Sequence, residues 1–201
     1  MRMSTAPPSE IHDNVPDADL IFVLAGQEAR KIYGLQLFHQ RRAQRILLSV
    51  GRFEIRNFSR LDIPIPISLM VIAEAIPPPK RHFFVLFEEK EVFAKLVTAG
   101  RLGTWSEIAE LGKILRARPE IHSLIVVSSP RHLYRVNMCC RELLPLHIRV
   151  RRMATPCKDS QCKPFSLWRN PASRKTVLTE LIKICVYRIL LWARRVKVPE
   201  E

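Results

Sequence analysis

Four short runs of apolar, largely branched residues punctuate the chain, Asp19–Gly26, Arg45–Gly51, Arg81–Glu88 and His122–Ser128, and each stops at glycine or at a polar cluster. Continuous apolar runs of this length predict strands covered on both faces. Between them the spacing turns helical: Glu28 to Arg42, with Ile32, Leu35, Leu37 and Phe38 inward, Thr104 to Arg118, with Ile108, Leu111, Ile114 and Leu115 inward, and Arg131 to Leu144. Strands alternating with amphipathic helices predict an α/β protein, a mostly parallel sheet of about five strands with helices on both faces, because parallel neighbours require long crossovers. His147 to Met153, interrupted by Arg149, Arg151 and Arg152, is the fifth strand and belongs at an edge.

The remaining pattern sets the organisation. Pro64 and Pro66 break the segment from Phe58 to Pro79, which reads as a short helix flanked by loops; Cys157 to Ser173 has no period and reads as a loop. Lys175 to Arg195 is a final amphipathic helix. The expected division is a flexible segment over 1–18, one domain over 19–153, a loop over 154–174 and a helix over 175–198 that packs on the domain.

Composition changes this picture in two places. The 201 residues are 47% hydrophobic and 26% charged, enough apolar material for a folded core. The formal charge of +14 is uneven: residues 1–100 carry 13 basic and 11 acidic side chains, and residues 101–201 carry 20 and 8. The second half therefore predicts a surface facing something anionic. Met1 to Pro16 lacks the apolar run of a secretory signal, and Glu180, Lys183 and Arg188 break the longest apolar segment, so a cytoplasmic chain without a membrane span is expected. Five cysteines without a CxxC pair fit a reducing compartment; Cys157 and Cys162 lack the further ligands a zinc site needs, and no metal is expected.

In an open parallel sheet, ligands bind beyond the carboxyl ends of the strands. There the sequence places Gly26, Gln27, Glu28 and Arg30 after the first run, Ser49, Gly51, Arg52 and Glu54 after the second, and Glu88 to Glu91 after the third. Ser128, Ser129, Arg131, His132 and Arg135 follow the fourth. Gly26 and Gly51 would let a ligand approach the backbone. Ser129 is suited to cap the next helix with Pro130 in its first turn, leaving N–H groups for an anion. His132 and Arg135, three apart, share a helical face where a proton-transferring imidazole and a bidentate cation would meet one ligand.

Three segments, Leu24-Ala-Gly-Gln-Glu-Ala-Arg30, Ile46-Leu-Leu-Ser-Val-Gly51 and Val127-Ser-Ser-Pro-Arg-His-Leu-Tyr-Arg135, resemble the YdcF, SanA and ElyC group of bacterial proteins, which share a domain of unknown function. The similarity covers residues 19–153, and Glu180 to Tyr187 is weakly similar to the helix that often closes that domain. The resemblance implies a Rossmann-like, doubly wound fold, a polar cleft for a nucleotide-like or phosphorylated ligand, and a link to the cell envelope. It carries over Gly26, Arg30, Ser49, Gly51, Ser129, His132 and Arg135, and puts Glu107 on the family's acidic position. Trp105 and Ile108 depart from the polar residues usual beside that acid.

Three function classes follow. In the first, an enzyme or binding domain holds an anionic small molecule through Gly26, Gln27, Arg30, Ser49, Gly51, Ser129, Arg131 and Arg135, with His132 and Glu107 as acid–base groups for hydrolysis or group transfer. The cofactor is open, a nucleotide-like ligand being the one the resemblance suggests. In the second, Leu178, Leu181, Ile182, Cys185, Ile189 and Trp192 form a stripe that lies on an anionic membrane, peripherally at the inner membrane; a helix packed on the sheet shows the same stripe. Nucleic acid ranks lowest, since the basic residues come without a recognition motif.

Overall fold

The computed structural model describes residues 18–51, 75–77, 82–88, 91–97, 103–156 and 171–197. The expected short helix within Phe58 to Pro79, apart from residues 75–77, lies outside them, as do Cys157, Cys162 and most of the 1–18 and 154–174 segments. Six strands form one mixed sheet: β1 (Ala18–Val23), β2 (Ala43–Gly51), β3 (His82–Glu88), β4 (Glu91–Leu96), β5 (Ser123–Ser128) and β6 (Arg149–Ala154), in the order β4-β3-β2-β1-β5-β6. Among the described residues the helices are α1 (Glu28–His39), α2 (Gly103–Arg116), α3 (Leu133–Leu143) after a 3-10 turn at Pro130–His132, and α4 (Pro171–Lys197).

The four strands β2, β1, β5 and β6 run parallel, and β6 is the edge strand its arginines predict. The expected five strands become six because Glu91–Leu96 pairs antiparallel with β3. Only Val92 and Ala94 of β4 turn toward the core while Phe93 and Leu96 stay exposed, the alternation of an edge strand rather than a buried run. The third run also reverses direction: β3 is antiparallel to β2, with Gly51 opposite His82 and Arg45 opposite Glu88. The carboxyl end of β3 therefore sits at the amino edge of the parallel strands. There Glu88 is paired with Arg45 and, at 2.8 Å, with Arg118, and these two guanidinium groups hold its carboxyl below the usual range.

Successive side chains of the inner strands feed two apolar clusters. Leu20, Phe22, Leu47, Phe84, Leu124 and Val126 pack with α2, α3 and Tyr187 of α4, and Ile21, Val23, Ile46, Leu48, Val85 and Ile125 pack with Tyr33 and Leu37 of α1. Alpha-1 lies close on β1 because position 34 has no side chain; a Cβ there would stand 2.3 Å from a Val23 methyl. The helix is turned differently from its expected phase. Ile32 is 44% exposed, whereas Arg30 and Lys31 are buried beside Tyr33 and Leu37. Cys139 and Cys140 are buried in the α3 layer, and burial pushes both thiols up to about 12, so they act as packing residues.

The final helix begins at Pro171, four residues before the expected Lys175. It meets the domain through Glu180, Tyr187 and Leu191, and the stripe of Leu178, Leu181, Ile182, Cys185, Ile189 and Trp192 faces away from the core. Glu180 faces Arg135, and Tyr187 faces Arg135 and Trp105, on the inward side of this helix. Among the described residues no helix is long and apolar enough to cross a membrane.

At the amino edge Asp19 ties the start of β1 to the start of β5. Its Oδ2 accepts from the N–H groups of His122 and Ser123 at 2.8 and 2.7 Å and from the Ser123 hydroxyl at 2.7 Å. Burial opposes ionisation, but these donors outweigh it and hold the carboxyl below 3.8. A depressed folded-state pKa means stability that is complete above the unfolded value and is lost as pH falls through the folded one. Asp19→Asn should therefore lower the urea-unfolding free energy by about 1–2 kcal/mol at neutral pH, and this difference should shrink as pH falls below about 4.

Candidate functional site

Because β1, β2, β5 and β6 end at one edge and β3 begins there, polar residues from separate segments converge on the turn after β1. Leu24 donates its N–H to the Val127 carbonyl at 3.2 Å, and its own carbonyl accepts from Lys31 Nζ at 2.8 Å. The Ala25 carbonyl accepts from Arg30 Nη1, and the Ala25 N–H donates to Glu107 Oε1 at 3.3 Å. Gly26 has φ +130°, a conformation that favours glycine, and a Cβ there would lie 2.8 Å from Arg30 Nη1. The space expected above Gly26 for a ligand is thus filled by the Arg30 guanidinium.

Beneath that turn lies a buried network. Ser49 donates its hydroxyl proton to Glu107 Oε1 at 2.9 Å, so the 2.8 Å contact from His82 Nε2 is a donation from the imidazole to the Ser49 oxygen. His82 Nε2 and Glu107 Oε1 are 3.5 Å apart, and all three side chains are buried, Glu107 being 5% exposed. Glu107 therefore joins the ends of β1, β2 and β3 to the first turns of α2. His82 is a site residue that sequence reasoning missed. Its run reads identically in either strand direction, and only antiparallel pairing puts its first residue, rather than Glu88, at this edge.

The end of β5 differs from its expected form. Ser129 makes no side-chain cap; the turn that follows is only Pro130–His132, and its His132 N–H is taken by the Ser129 carbonyl at 2.9 Å. The Ser129 hydroxyl instead accepts from Arg30 Nε at 2.8 Å and lies 3.5 Å from Gln27 Oε1. A charge-assisted donor outcompetes a neutral backbone amide for that oxygen. Ser128, just before it, has a fully buried hydroxyl without a hydrogen-bond partner among the described residues. Arg131 is half-buried in the turn, and Gly51 closes β2 opposite His82.

The third group carries α4. Arg135 is buried, donates to Thr104 Oγ1 at 3.3 Å, pairs with Glu180 Oε1, and lies 5.5 Å from the Tyr187 ring centre. Trp105 and Ile108, the departures from the resembled pattern, are packing residues: Trp105 meets the Tyr187 ring edge-on at 6.4 Å, and Ile108 is fully buried in the core. His132 Nδ1 stands 3.1 Å from Arg135 Nη2 and 3.2 Å from Glu180 Oε1. Arginine only donates, so the first contact needs a lone pair on Nδ1 and the second a proton there. With the proton on Nδ1 aimed at Glu180, Nε2 presents its lone pair as a general base would. Burial and the positive charge of Arg30 lower the His132 pKa against the raising effect of Glu180, favouring the neutral imidazole.

The candidate residues Gly26, Gln27, Arg30, Ser49, Gly51, Glu107, Ser129, Arg131, His132 and Arg135 all belong to this carboxyl edge or to the helix ends above it. Glu54 and Arg52 lie outside the described residues, and Glu88 and Glu91 lie at the opposite edge. Lys31 and Glu180 were not distinguishable in the sequence from surface charges of their helices. Two clefts among the described residues lie elsewhere: one of about 350 Å³ at the amino edge beside Ala18, Ser123 and Arg149, and one of about 300 Å³ between α3 and β6 beside Asn137 and Arg152. Comparison with protein-family models, with curated proteins and with solved structures finds no match to this chain.

Glu180 is a carboxylate already seated on the cation expected to bind a ligand anion. Replacing it by glutamine removes the charge that raises the His132 pKa while keeping an acceptor for Arg135. Glu180→Gln should move the His132 titration, followed by its ring proton resonances, further below 6.5, and should cost about 1–2 kcal/mol in urea unfolding. An upward move of that titration would refute the assigned contact.

Proposed function

We propose that this chain binds a nucleotide-like or otherwise phosphorylated small molecule at the carboxyl edge of a Rossmann-like, doubly wound sheet, as a YdcF/SanA/ElyC-like protein, and acts on it by hydrolysis or group transfer. The observation that carries the reading is the Arg30–Ser129 contact at 2.8 Å, a buried guanidinium spanning the ends of β1 and β5. Those strands are the central pair of the four parallel ones, and an open α/β sheet receives ligands beyond such carboxyl ends.

In this reading Arg30 and Arg135 supply the positive field, and Gln27, Ser129 and the half-buried Arg131 border it. The unpartnered Ser128 hydroxyl supports a polar occupant, since a buried hydroxyl left without a partner costs about 1–3 kcal/mol that a ligand oxygen would offset. His132, held neutral and oriented by Glu180, takes the proton of the attacking water or hydroxyl at Nε2. Glu107 keeps the β1 turn in place through the Ala25 N–H and Ser49, a positioning role that its own contacts favour over proton transfer. An incoming anion competes with Glu180 for Arg135, so occupancy and the seating of α4 are linked.

The test is a thermal-shift and titration panel of AMP, ADP, pyrophosphate and glucose 6-phosphate. At least one should raise the unfolding temperature, and Arg135→Ala should weaken its affinity about tenfold or more. Ser128→Ala should lower affinity without lowering the stability of the free protein, which separates a ligand contact from a structural one. His132→Ala should abolish turnover with folding retained. Absence of any shift across the panel would remove the reading.

A further inference from the structure

Alpha-4 is built with two faces. Its inward face brings Glu180, Tyr187 and Leu191 to the domain, and its outward face presents Leu178, Ile189 and Trp192 at 60%, 63% and 67% exposure, with Leu181, Ile182 and Cys185 between them. These positions recur at three- and four-residue intervals and form one continuous strip. Large apolar groups grouped in this way mark an interaction surface.

The charges beside the strip identify the occupant. Glu180 is the only acid between Pro171 and Lys197, and it is turned inward onto Arg135. Lys175, Lys183 and Arg188 are exposed on the same helix, which carries no outward carboxylate. Two copies meeting through this strip would bring cation against cation, whereas a surface of anionic lipid headgroups complements those cations and takes the apolar strip into its acyl boundary. We infer that the outward face of α4 docks this protein, lying flat, on an anionic membrane surface. This is independent of the ligand proposed at the sheet edge, which involves the opposite face of the same helix.

The full chain should co-sediment with vesicles of phosphatidylcholine containing phosphatidylglycerol about tenfold more strongly than with phosphatidylcholine alone, and the difference should fall as salt is raised. Ile189→Asp should weaken binding about tenfold, since it places a charge in the strip. The exposed pair Lys183→Glu with Arg188→Glu should abolish the preference for anionic vesicles. Circular dichroism and unfolding midpoints matching the parent would confirm that these surface variants are folded. Failure of the parent chain to sediment, indifference to lipid charge, or parent-like binding by Ile189→Asp would each overturn the inference. A dimer that Ile189→Asp dissolves, in a chain that ignores vesicles, would instead assign the strip to a second copy.

Discussion

The backbone that leaves β1 keeps one bond to a neighbouring strand, from the Leu24 N–H to the Val127 carbonyl of β5, and beyond it must be satisfied by side chains. Past Val23 the Leu24 and Ala25 carbonyls have left the ladder, and a buried carbonyl without a partner is costly. Two cations of α1 meet them, Lys31 on Leu24 and Arg30 on Ala25, while Glu107 receives the Ala25 N–H. This requirement rotates α1 so that Arg30 and Lys31 face inward at the expense of Ile32. It also places a guanidinium over Gly26 and on Ser129, and draws the first turns of α2 onto the sheet edge. The positive character of the site is therefore a product of closing the central turn.

That arrangement explains why the edge is polar and buried together. Ser49, His82 and Glu107 form a chain in which each proton has a defined acceptor, so their desolvation is offset by mutual hydrogen bonds. The second group, His132, Arg135 and Glu180, is linked to it through α2, whose Thr104 accepts from Arg135 one turn before Glu107. Alpha-4 consequently serves two surfaces. An acid and an aromatic ring on one side complete the sheet edge, and an apolar strip bordered by cations on the other remains outside the fold.

Much of the α/β architecture is legible in the sequence because a buried strand and an amphipathic helix leave different periods in the pattern of apolar residues. The parallel strands β1, β2, β5 and β6 and the helices α1, α2 and α3 all correspond to such patterns, and so do the polar residues after β1 and β5. The pattern is less informative where it does not specify direction or partner. The run at Phe83–Phe87 is equally apolar read either way, so it could not show that His82 rather than Glu88 reaches the site. The half-polar alternation of Glu91–Leu96 lacks the continuous apolar run that marks the other strands. The stripe on α4 was visible, but a stripe packed inward and a stripe left outward have the same period.

The sequence by itself determined most of the strands and helices of the described residues, β4 apart, since those depend on local spacing and on the burial each residue type favours. Only the tertiary structure decided which hydroxyl Arg30 would take, that Glu180 would seat on Arg135, and which face of α4 would remain uncovered. Those outcomes arise from competition among groups far apart in the chain for the same few donors and acceptors, and such competition has no signature in local sequence.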